Sequence, residues 1–282
     1  MTGLMQLPEK IIDFHVHLFP ERMCDAIWEY FSSEYRWDVI YKMYARECVE
    51  YLRERGVEKI VYSNYAHREG IAGELNEWNH RFLEEYPGVY CFAAFHPGDE
   101  RALDLAGRAL EHPRVIGFKL QLLVQRFHPH DERLFPLYEM VMERGKRILF
   151  HAGTGPVGNE FVGLKHFTKL LERYPGLPAN VAHMGAYEYR GFMDLLDEYP
   201  GLFLDTSFAF FREFQGRGGF DLGGDELERH GDRILYGSDF PNLILPRESE
   251  LETLLSYGLS PGCCERLFYR NASRLIEEHS HQ

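Results

Sequence analysis

The chain has 282 residues, of which 45% are hydrophobic and 27% are charged, and its formal net charge at pH 7 is −13. This composition is typical of a soluble globular protein, and the acidic balance argues against a nucleic-acid partner, since such partners are bound by basic surfaces. No apolar run is long enough to span a bilayer. Five cysteines without a Cys-x-x-Cys motif, and an N-terminus without a signal-peptide pattern, predict a cytoplasmic protein with no membrane partner.

Short β-branched and aromatic runs alternate with helical patterns along the whole chain. Eight runs are predicted to be strands, at 11–20, 59–66, 89–97, 115–121, 147–153, 180–185, 202–207 and 234–240. Helical spacing of apolar residues lies between them, as in 75–88, 131–146 and 162–176. Such alternation predicts parallel strands joined by crossover helices, and eight repeats in roughly 250 residues predict a (β/α)₈ TIM barrel. An open doubly wound sheet is the alternative, but no Gly-x-Gly-x-x-Gly follows the first strand.

One segment departs from this rhythm, because about forty residues separate the first strand from the second. Within it, residues 18–44 are rich in Trp and Tyr. Insertions after barrel strands lie on the catalytic face. The segment is therefore either an extra helix on the side of the barrel or a lid over a substrate, and the sequence favours neither.

The first strand ends in the sequence "DFHVH", residues 13–17, which places His15 and His17 one residue apart. Because alternate side chains of a strand share a face, both histidines should project the same way, with Asp13 beneath them. Such a pair is either two metal ligands or two histidines that share a strand face by coincidence.

Further polar residues stand where the later strands are predicted to end. They are Lys119, His151, His183, Asp205 and Asp239. A barrel enzyme builds its active site at the C-terminal ends of its strands, so these side chains would converge with the histidine pair on one pocket. Imidazoles and a carboxylate suit a divalent transition metal, zinc most readily, and such an ion yields hydroxide from bound water near neutral pH.

The ordered set "DFHVH", "HAG" (151–153), "AHMG" (182–185) and "GSDFP" (237–241) resembles the amidohydrolase superfamily. More narrowly, it resembles the amidohydrolase-2 branch, which is related to aminocarboxymuconate-semialdehyde decarboxylase. The resemblance covers nearly the whole chain, and it also includes "GFKL", "DERLFPLYE", "DTS" and "NASRL". It implies one metal-dependent barrel domain over residues 1–282, and a homodimer is common in this family.

By this resemblance, His15, His17, His151 and Asp239 hold one divalent metal ion, most often zinc. His183 is then the residue that exchanges a proton or polarises a carbonyl group. The chemistry of the residues agrees with these roles, since Asp239 can bind metal through one oxygen and accept a proton through the other.

Lys119 leaves the number of metal ions open. In some members of the superfamily a lysine on strand four is carboxylated and bridges two metals, with His151 and His183 binding the second ion. The branch that this chain resembles usually holds one metal, which is the expectation here. Lys119 would then pair with an acid or contact a carboxylate of the substrate.

The remaining candidates concern a small-molecule substrate. Tyr65 follows strand two and could reach the pocket, while Arg190 and Arg36 could each clamp a substrate carboxylate through two hydrogen bonds. A solvated or capping role is the alternative for all three. The other internal histidines are interpreted as loop or helix-surface residues: His96, His112, His128, His130, His166 and His230.

Together these residues predict a metal-dependent hydrolase that attacks an ester, lactone or amide with metal-activated water. The alternative is a metal-dependent decarboxylase of a small unsaturated or aromatic carboxylic acid. A non-catalytic ligand-binding barrel is the third hypothesis, and the intact set of site residues argues against it.

Overall fold

The computed structural model describes residues 9–216 and 218–280. Eight parallel strands form one sheet in sequential order. They are β1 (Ile11–His17), β2 (Val57–Ser63), β3 (Val89–Ala94), β4 (Val115–Leu120), β5 (Arg147–Phe150), β6 (Ala179–Val181), β7 (Leu202–Asp205) and β8 (Ile234–Leu235). The amides of Phe14, Asp239 and His17 donate to the carbonyls of Tyr236, His15 and Phe240, and these bonds join β8 to β1. The predicted TIM barrel is confirmed.

Helices connect the strands and surround the barrel. They are α1 (Glu21–Tyr35), α2 (Ala45–Glu54), α3 (Ala72–Glu85), α4 (Ala102–Ala109), α5 (Leu122–Gln125), α6 (Phe135–Glu143), α7 (Leu164–Arg173), α8 (Tyr189–Glu198), α9 (Gly224–Arg229), α10 (Arg247–Ser256), α11 (Pro261–Glu265) and α12 (Asn271–Ser280). No helix in the described ranges is long and apolar enough to cross a membrane. All five cysteines are buried and free.

Two apolar layers hold the barrel together. A smaller cluster includes Ile12, Phe14, Phe92 and Leu149 from the strands, together with Leu275 of α12, which packs against them. A larger cluster lies between the strands and the surrounding helices. Burial of this much apolar surface is the main stabilising contribution to such a fold.

The strands end earlier than the sequence predicts, and this concerns the site directly. His151 directly follows β5, whereas His183 and Asp239 lie beyond the last residues of β6 and β8. His183 and Asp239 have φ angles of 58° and 63°, in the left-handed region, which a strand cannot contain. The chain turns at these residues, and such costly conformations are typical of functional sites.

Asp13 also departs from the expected alternation. The pairing of β1 with β2 shifts register between Asp13 and Val16, and such a bulge changes which side chains share a face. The Asp13 carboxylate accepts hydrogen bonds from Ser238 N at 3.0 Å and Ser238 Oγ at 2.6 Å. Asp13 is therefore bound to the loop after β8.

The insertion at residues 18–44 forms α1 and a return segment. Phe19, Cys24, Trp28 and Val39 pack in a separate cluster with Leu75 of α3 and other residues of that region. This packing fixes the insertion over the C-terminal ends of β1 to β3, on the face where a barrel enzyme places its site.

Candidate metal centre and substrate cavity

Histidine and aspartate side chains meet at the C-terminal end of the barrel. Ligand atoms of His15, His17 and Asp239 all lie within 4.8 Å of one another, and those of His15, His183 and Asp205 form a second such group. The first three come from β1 and from the loop after β8, which the hydrogen bonds between β8 and β1 hold side by side. The strand-end residues of the sequence are thus brought together.

The ring of His15 is oriented by Asp205. His15 Nδ1 lies 2.9 Å from Asp205 Oδ2 and 3.0 Å from Ser207 Oγ. Burial lowers the pKa of His15 to about 4, although the Asp205 carboxylate opposes this shift. Burial raises the pKa of Asp205, but the charge and hydrogen bond of His15 outweigh it and lower that pKa to about 2. A neutral His15 therefore donates from Nδ1 and presents the lone pair of Nε2.

His17 and Asp239 face one another across a short gap between a ring nitrogen and a carboxylate oxygen. The Nδ1 of His17 lies 3.3 Å from the carbonyl oxygen of Ser63, which can only accept, and 3.3 Å from the hydroxyl of Ser63, which can also donate. His17 Nε2 lies 3.1 Å from Asp239 Oδ1. Asp239 Oδ1 is buried without a hydrogen-bond partner among the described residues. When the proton of the His17 ring is on Nδ1, these two atoms are both acceptors, and they need a shared proton or a metal ion between them.

His151 and His183 show the same pattern. His151 Nε2 lies 2.8 Å from the Gly155 carbonyl oxygen, and His183 Nδ1 lies 2.9 Å from the Ser207 carbonyl oxygen. These carbonyls fix the protons of the two neutral rings. The remaining nitrogens, His151 Nδ1 and His183 Nε2, are 3.2 Å apart and both present lone pairs. This pair requires a shared proton or a metal ion.

When the ring protons are on these outer nitrogens, four imidazole lone pairs and one carboxylate oxygen are directed into the site. This donor set fits a divalent transition metal. Lys119 is buried beside it, with Nζ 3.5 Å from His15 Nε2. Burial lowers the pKa of Lys119 to about 8, while Asp205 and Asp239 oppose the shift.

Gly237 allows this arrangement sterically. A Cβ atom at Gly237 would lie 2.6 Å from the Cβ of His15, well inside van der Waals contact. The close approach of the β8 segment to β1 brings Asp239 to the two histidines, so any larger residue at position 237 would displace Asp239 from His15 and His17.

A cavity of about 420 Å³ opens above these residues, and His17, His151, His183 and Asp239 all line it. The insertion contributes a largely aromatic wall: Phe19, Met23, Ala26, Ile27, Tyr30, Phe31, Tyr35 and Trp37. Loops after β4, β6 and β7 contribute Leu123, Val124, Tyr187, Tyr189, Phe208 and Phe214. Trp37 stacks on Phe208 with ring centroids 5.5 Å apart, which joins the insertion to the loop after β7.

Comparison with known proteins identifies the family. A family model described as Amidohydrolase, of the amidohydrolase-2 branch, matches residues 12–277. The chain belongs to this family. No curated protein matches it.

Several solved structures are similar in fold. An uncharacterised TIM-barrel protein from Bordetella bronchiseptica has a TM-score of 0.74 and 18% identity, covering 96% of this chain and 100% of that one. A putative 2-pyrone-4,6-dicarboxylic acid hydrolase from Pseudomonas putida has a TM-score of 0.64 and 19% identity, covering 96% and 99%. A dihydroxybenzoic acid decarboxylase from Polaromonas sp. JS666 was solved with bound manganese and 2-nitroresorcinol. It has a TM-score of 0.65 and 16% identity, covering 96% of this chain and 97% of that one.

Within this amidohydrolase fold, the residues predicted to bind substrate are not all near the cavity. Tyr65 lines it, with its ring centroid 6.2 Å from that of His17. Lys119 lies beneath the cavity beside His15. Arg36 and Arg190 are exposed, and neither lines the cavity. Arg36 ends α1 in a left-handed conformation, and Arg190 lies in the first turn of α8.

Two contributions to the site are absent from the predicted set. Ser207 contacts His15 Nδ1 and His183 Nδ1 through Oγ, at 3.0 and 2.9 Å, and also donates to Asp205. Its position in the "DTS" motif was the available signal. The stacking of Trp37 on Phe208 joins residues far apart in the sequence, and neither residue has a motif that predicts it.

Proposed function

We propose that this amidohydrolase is a metal-dependent hydrolase of an ester, lactone or amide that carries an aromatic or large apolar group. The observation that carries the proposal is the set of inward-facing imidazole nitrogens and the unpartnered Asp239 Oδ1 at the inner end of an aromatic cavity. The donor atoms indicate the chemistry, and the cavity wall indicates the class of substrate.

His15, His17, His151 and Asp239 are the proposed ligands of one divalent ion. Such an ion, when bound, lowers the pKa of a coordinated water toward about 7 and polarises a carbonyl oxygen. Imidazole-rich sets with one carboxylate favour zinc, whereas the structurally similar decarboxylase from Polaromonas was solved with manganese. We propose zinc, and elemental analysis of the purified protein distinguishes the two metals.

The chain's own residues would handle the protons. Burial raises the pKa of the Asp239 carboxyl, but the rings of His17, His183 and His15 outweigh burial and hold that pKa below its ordinary value. Asp239 is thus ionised and can accept a proton from the attacking water. His183 donates from Nδ1 to the Ser207 carbonyl oxygen, and its Nε2 faces the cavity. Nε2 can therefore exchange a proton with the leaving group. The aromatic walls hold the substrate and exclude bulk water.

Decarboxylation of an aromatic acid is the second candidate, and the lining of the cavity supports it. In the described part of the chain, none of the lining residues is a lysine or an arginine. A substrate carboxylate would meet apolar walls, which destabilise its charge and favour its loss as carbon dioxide. His183 or Asp239 would then deliver a proton to the ring carbon.

A product analysis in ¹⁸O-labelled water tests the two reactions. The purified, metal-loaded protein is incubated with a panel of aryl esters, lactones and anilides, and with a panel of hydroxylated benzoates. Hydrolysis places one labelled oxygen in the acid product, whereas decarboxylation releases carbon dioxide and leaves a product without label. Turnover of the benzoates alone would contradict the hydrolase proposal, and no turnover of either panel would favour a binding function.

A further inference from the structure

Three histidines that the sequence analysis interprets as surface residues form a cluster outside the barrel site. His128 and His130 lie in the loop between α5 and α6, and His166 lies in the first turn of α7. Each is half-buried, and each places a ring nitrogen within 4.8 Å of a nitrogen of the other two. The rings of His128 and His166 stack with centroids 4.4 Å apart, and those of His128 and His130 with centroids 5.1 Å apart.

The nitrogen atoms of this cluster are spaced for a metal ion. His130 Nε2 and His166 Nδ1 are 3.3 Å apart. Two ligands of a tetrahedral ion with metal–nitrogen bonds of about 2.0–2.1 Å are separated by about 3.3 Å. The third ring has a free donor, because His128 Nδ1 is buried and has no hydrogen-bond partner among the described residues. An unsatisfied buried nitrogen is costly unless something binds it.

The surroundings keep the rings neutral and hold them in place. Burial lowers the pKa of His130 and of His166, and the neighbouring ring of His128 and the ammonium of Lys169 lower both further, while Asp131 raises that of His130. Neutral imidazoles are the form that ligates metals. The loop is anchored because Tyr138 donates to the carbonyl of Pro129 at 2.7 Å and the Asp131 amide donates to the carbonyl of His128.

We propose that His128, His130 and His166 form a second, separate site for a borderline transition-metal ion such as Zn²⁺. Three imidazoles without a carboxylate select zinc, nickel, cobalt or copper over magnesium or calcium. The site has three protein ligands and leaves further positions to water.

Such an ion would connect two walls of the substrate cavity. Leu123 and Val124 belong to the segment that leads to His128, and Gly155 and Pro156 belong to the loop that leads to α7. These segments are already joined by one hydrogen bond, from Asn159 Nδ2 to the carbonyl of Leu123 at 3.0 Å. A metal ion bound by His128, His130 and His166 fixes their separation more firmly, and therefore stabilises the cavity without contacting substrate.

Metal stoichiometry of the full chain tests this inference independently of the barrel site. Protein stripped with a chelator is reloaded with Zn²⁺, passed over a desalting column and analysed for zinc. The variant His130→Asn/His166→Asn is expected to bind one equivalent fewer than the wild type. Lys165→Ala removes a neighbouring exposed cation and is the matched control, which should bind as many equivalents as the wild type.

The converse variant separates the two sites. His15→Asn/His17→Asn should lose the barrel ion and retain one zinc equivalent. Adding His130→Asn and His166→Asn to this variant should remove that equivalent as well. Equal zinc content in the wild type and in His130→Asn/His166→Asn overturns the proposal. If His130→Asn/His166→Asn does not fold, the single variants His130→Asn and His166→Asn are used instead. For each of them, the rise in the midpoint of unfolding on adding Zn²⁺ is compared with that of the wild type. A rise as large in both single variants as in the wild type also overturns it.

Discussion

Asp205 connects the two histidine-bearing segments of the site through the two oxygens of one carboxylate. Its Oδ2 accepts from His15 Nδ1 at 2.9 Å, and its Oδ1 accepts from the backbone amide of His183 at 3.1 Å. The first bond leaves Nε2 as the nitrogen of His15 that faces the site, where we propose that it binds metal. The second holds the left-handed turn that aims the His183 ring at the cavity.

Asp205→Asn is therefore expected to weaken metal binding by about 10–100-fold, because the amide can present its NH₂ group to His15 and favour the wrong tautomer. The affinity is measured by competition with a chromophoric chelator. Asp99→Asn is the control, since Asp99 is also a buried carboxylate but binds the amide of Gly70 instead of a ligating ring. Unchanged affinity in Asp205→Asn would contradict the orienting role.

His183→Asn distinguishes a proton-transfer residue from a metal ligand. If His183 acts on the substrate, turnover should fall about 10²–10⁴-fold, the usual contribution of a positioned acid or base, while the zinc content stays at the wild-type value. Loss of one zinc equivalent in His183→Asn, but not in Lys165→Ala, would instead assign His183 to a second barrel metal, with Lys119 beside it.

The sequence was sufficient for the barrel and for the convergence of the strand-end residues, but not for their contacts or for Ser207. Strand periodicity and strand-end polar residues are local features, so eight strands and the convergence of His15, His183 and Asp239 could be predicted. The directions of the rings could not, since they depend on carbonyls of distant segments, such as Ser63 for His17 and Ser207 for His183.

The histidines at 128, 130 and 166 show the same limit. His128 and His130 have the same spacing as His15 and His17, but nothing in the sequence places His166 beside them, and only the approach of the loop before α6 to the start of α7 brings the three together. Arg36 and Arg190 show the converse, because neither a position in the insertion, as for Arg36, nor a position after a site motif, as for Arg190, says which way an arginine side chain points. Both side chains are on the exposed surface in the fold.

Trp37→Ala tests whether the insertion at 18–44 covers the substrate. Its ring stacks on Phe208 at 5.5 Å, and an aromatic pair contributes about 0.5–1.5 kcal/mol beyond burial. We expect KM for an aromatic substrate to rise about 3–10-fold with kcat less affected. Ile40→Ala is the matched control, because Ile40 is an exposed apolar residue of the same insertion that does not line the cavity. Equal KM values in Trp37→Ala and the wild type would exclude a covering role.

His279 predicts how stability depends on pH. It is buried in α12; its Nδ1 contacts the Gly145 carbonyl, and its Nε2 has no hydrogen-bond partner among the described residues. Burial, with the nearby Arg147 and Lys146, lowers the pKa of His279 to about 4. Because this folded-state value lies below the ordinary value of about 6.5, the unfolded chain binds the proton first. The contribution of the neutral His279 to the free energy of unfolding is therefore complete above pH 6.5 and is lost as the pH falls through 4.

Urea unfolding of the wild type and of His279→Asn between pH 7 and pH 4 measures this contribution. Both proteins are kept in chelator, so that the site histidines contribute equally to the two curves. The free energy of unfolding should fall by about 2 kcal/mol more in the wild type than in the variant over this range. This is somewhat less than the free energy that corresponds to the full difference between the folded and unfolded pKa values of His279. Parallel curves would mean that His279 titrates alike in the folded and unfolded chain, and would contradict its burial against Arg147.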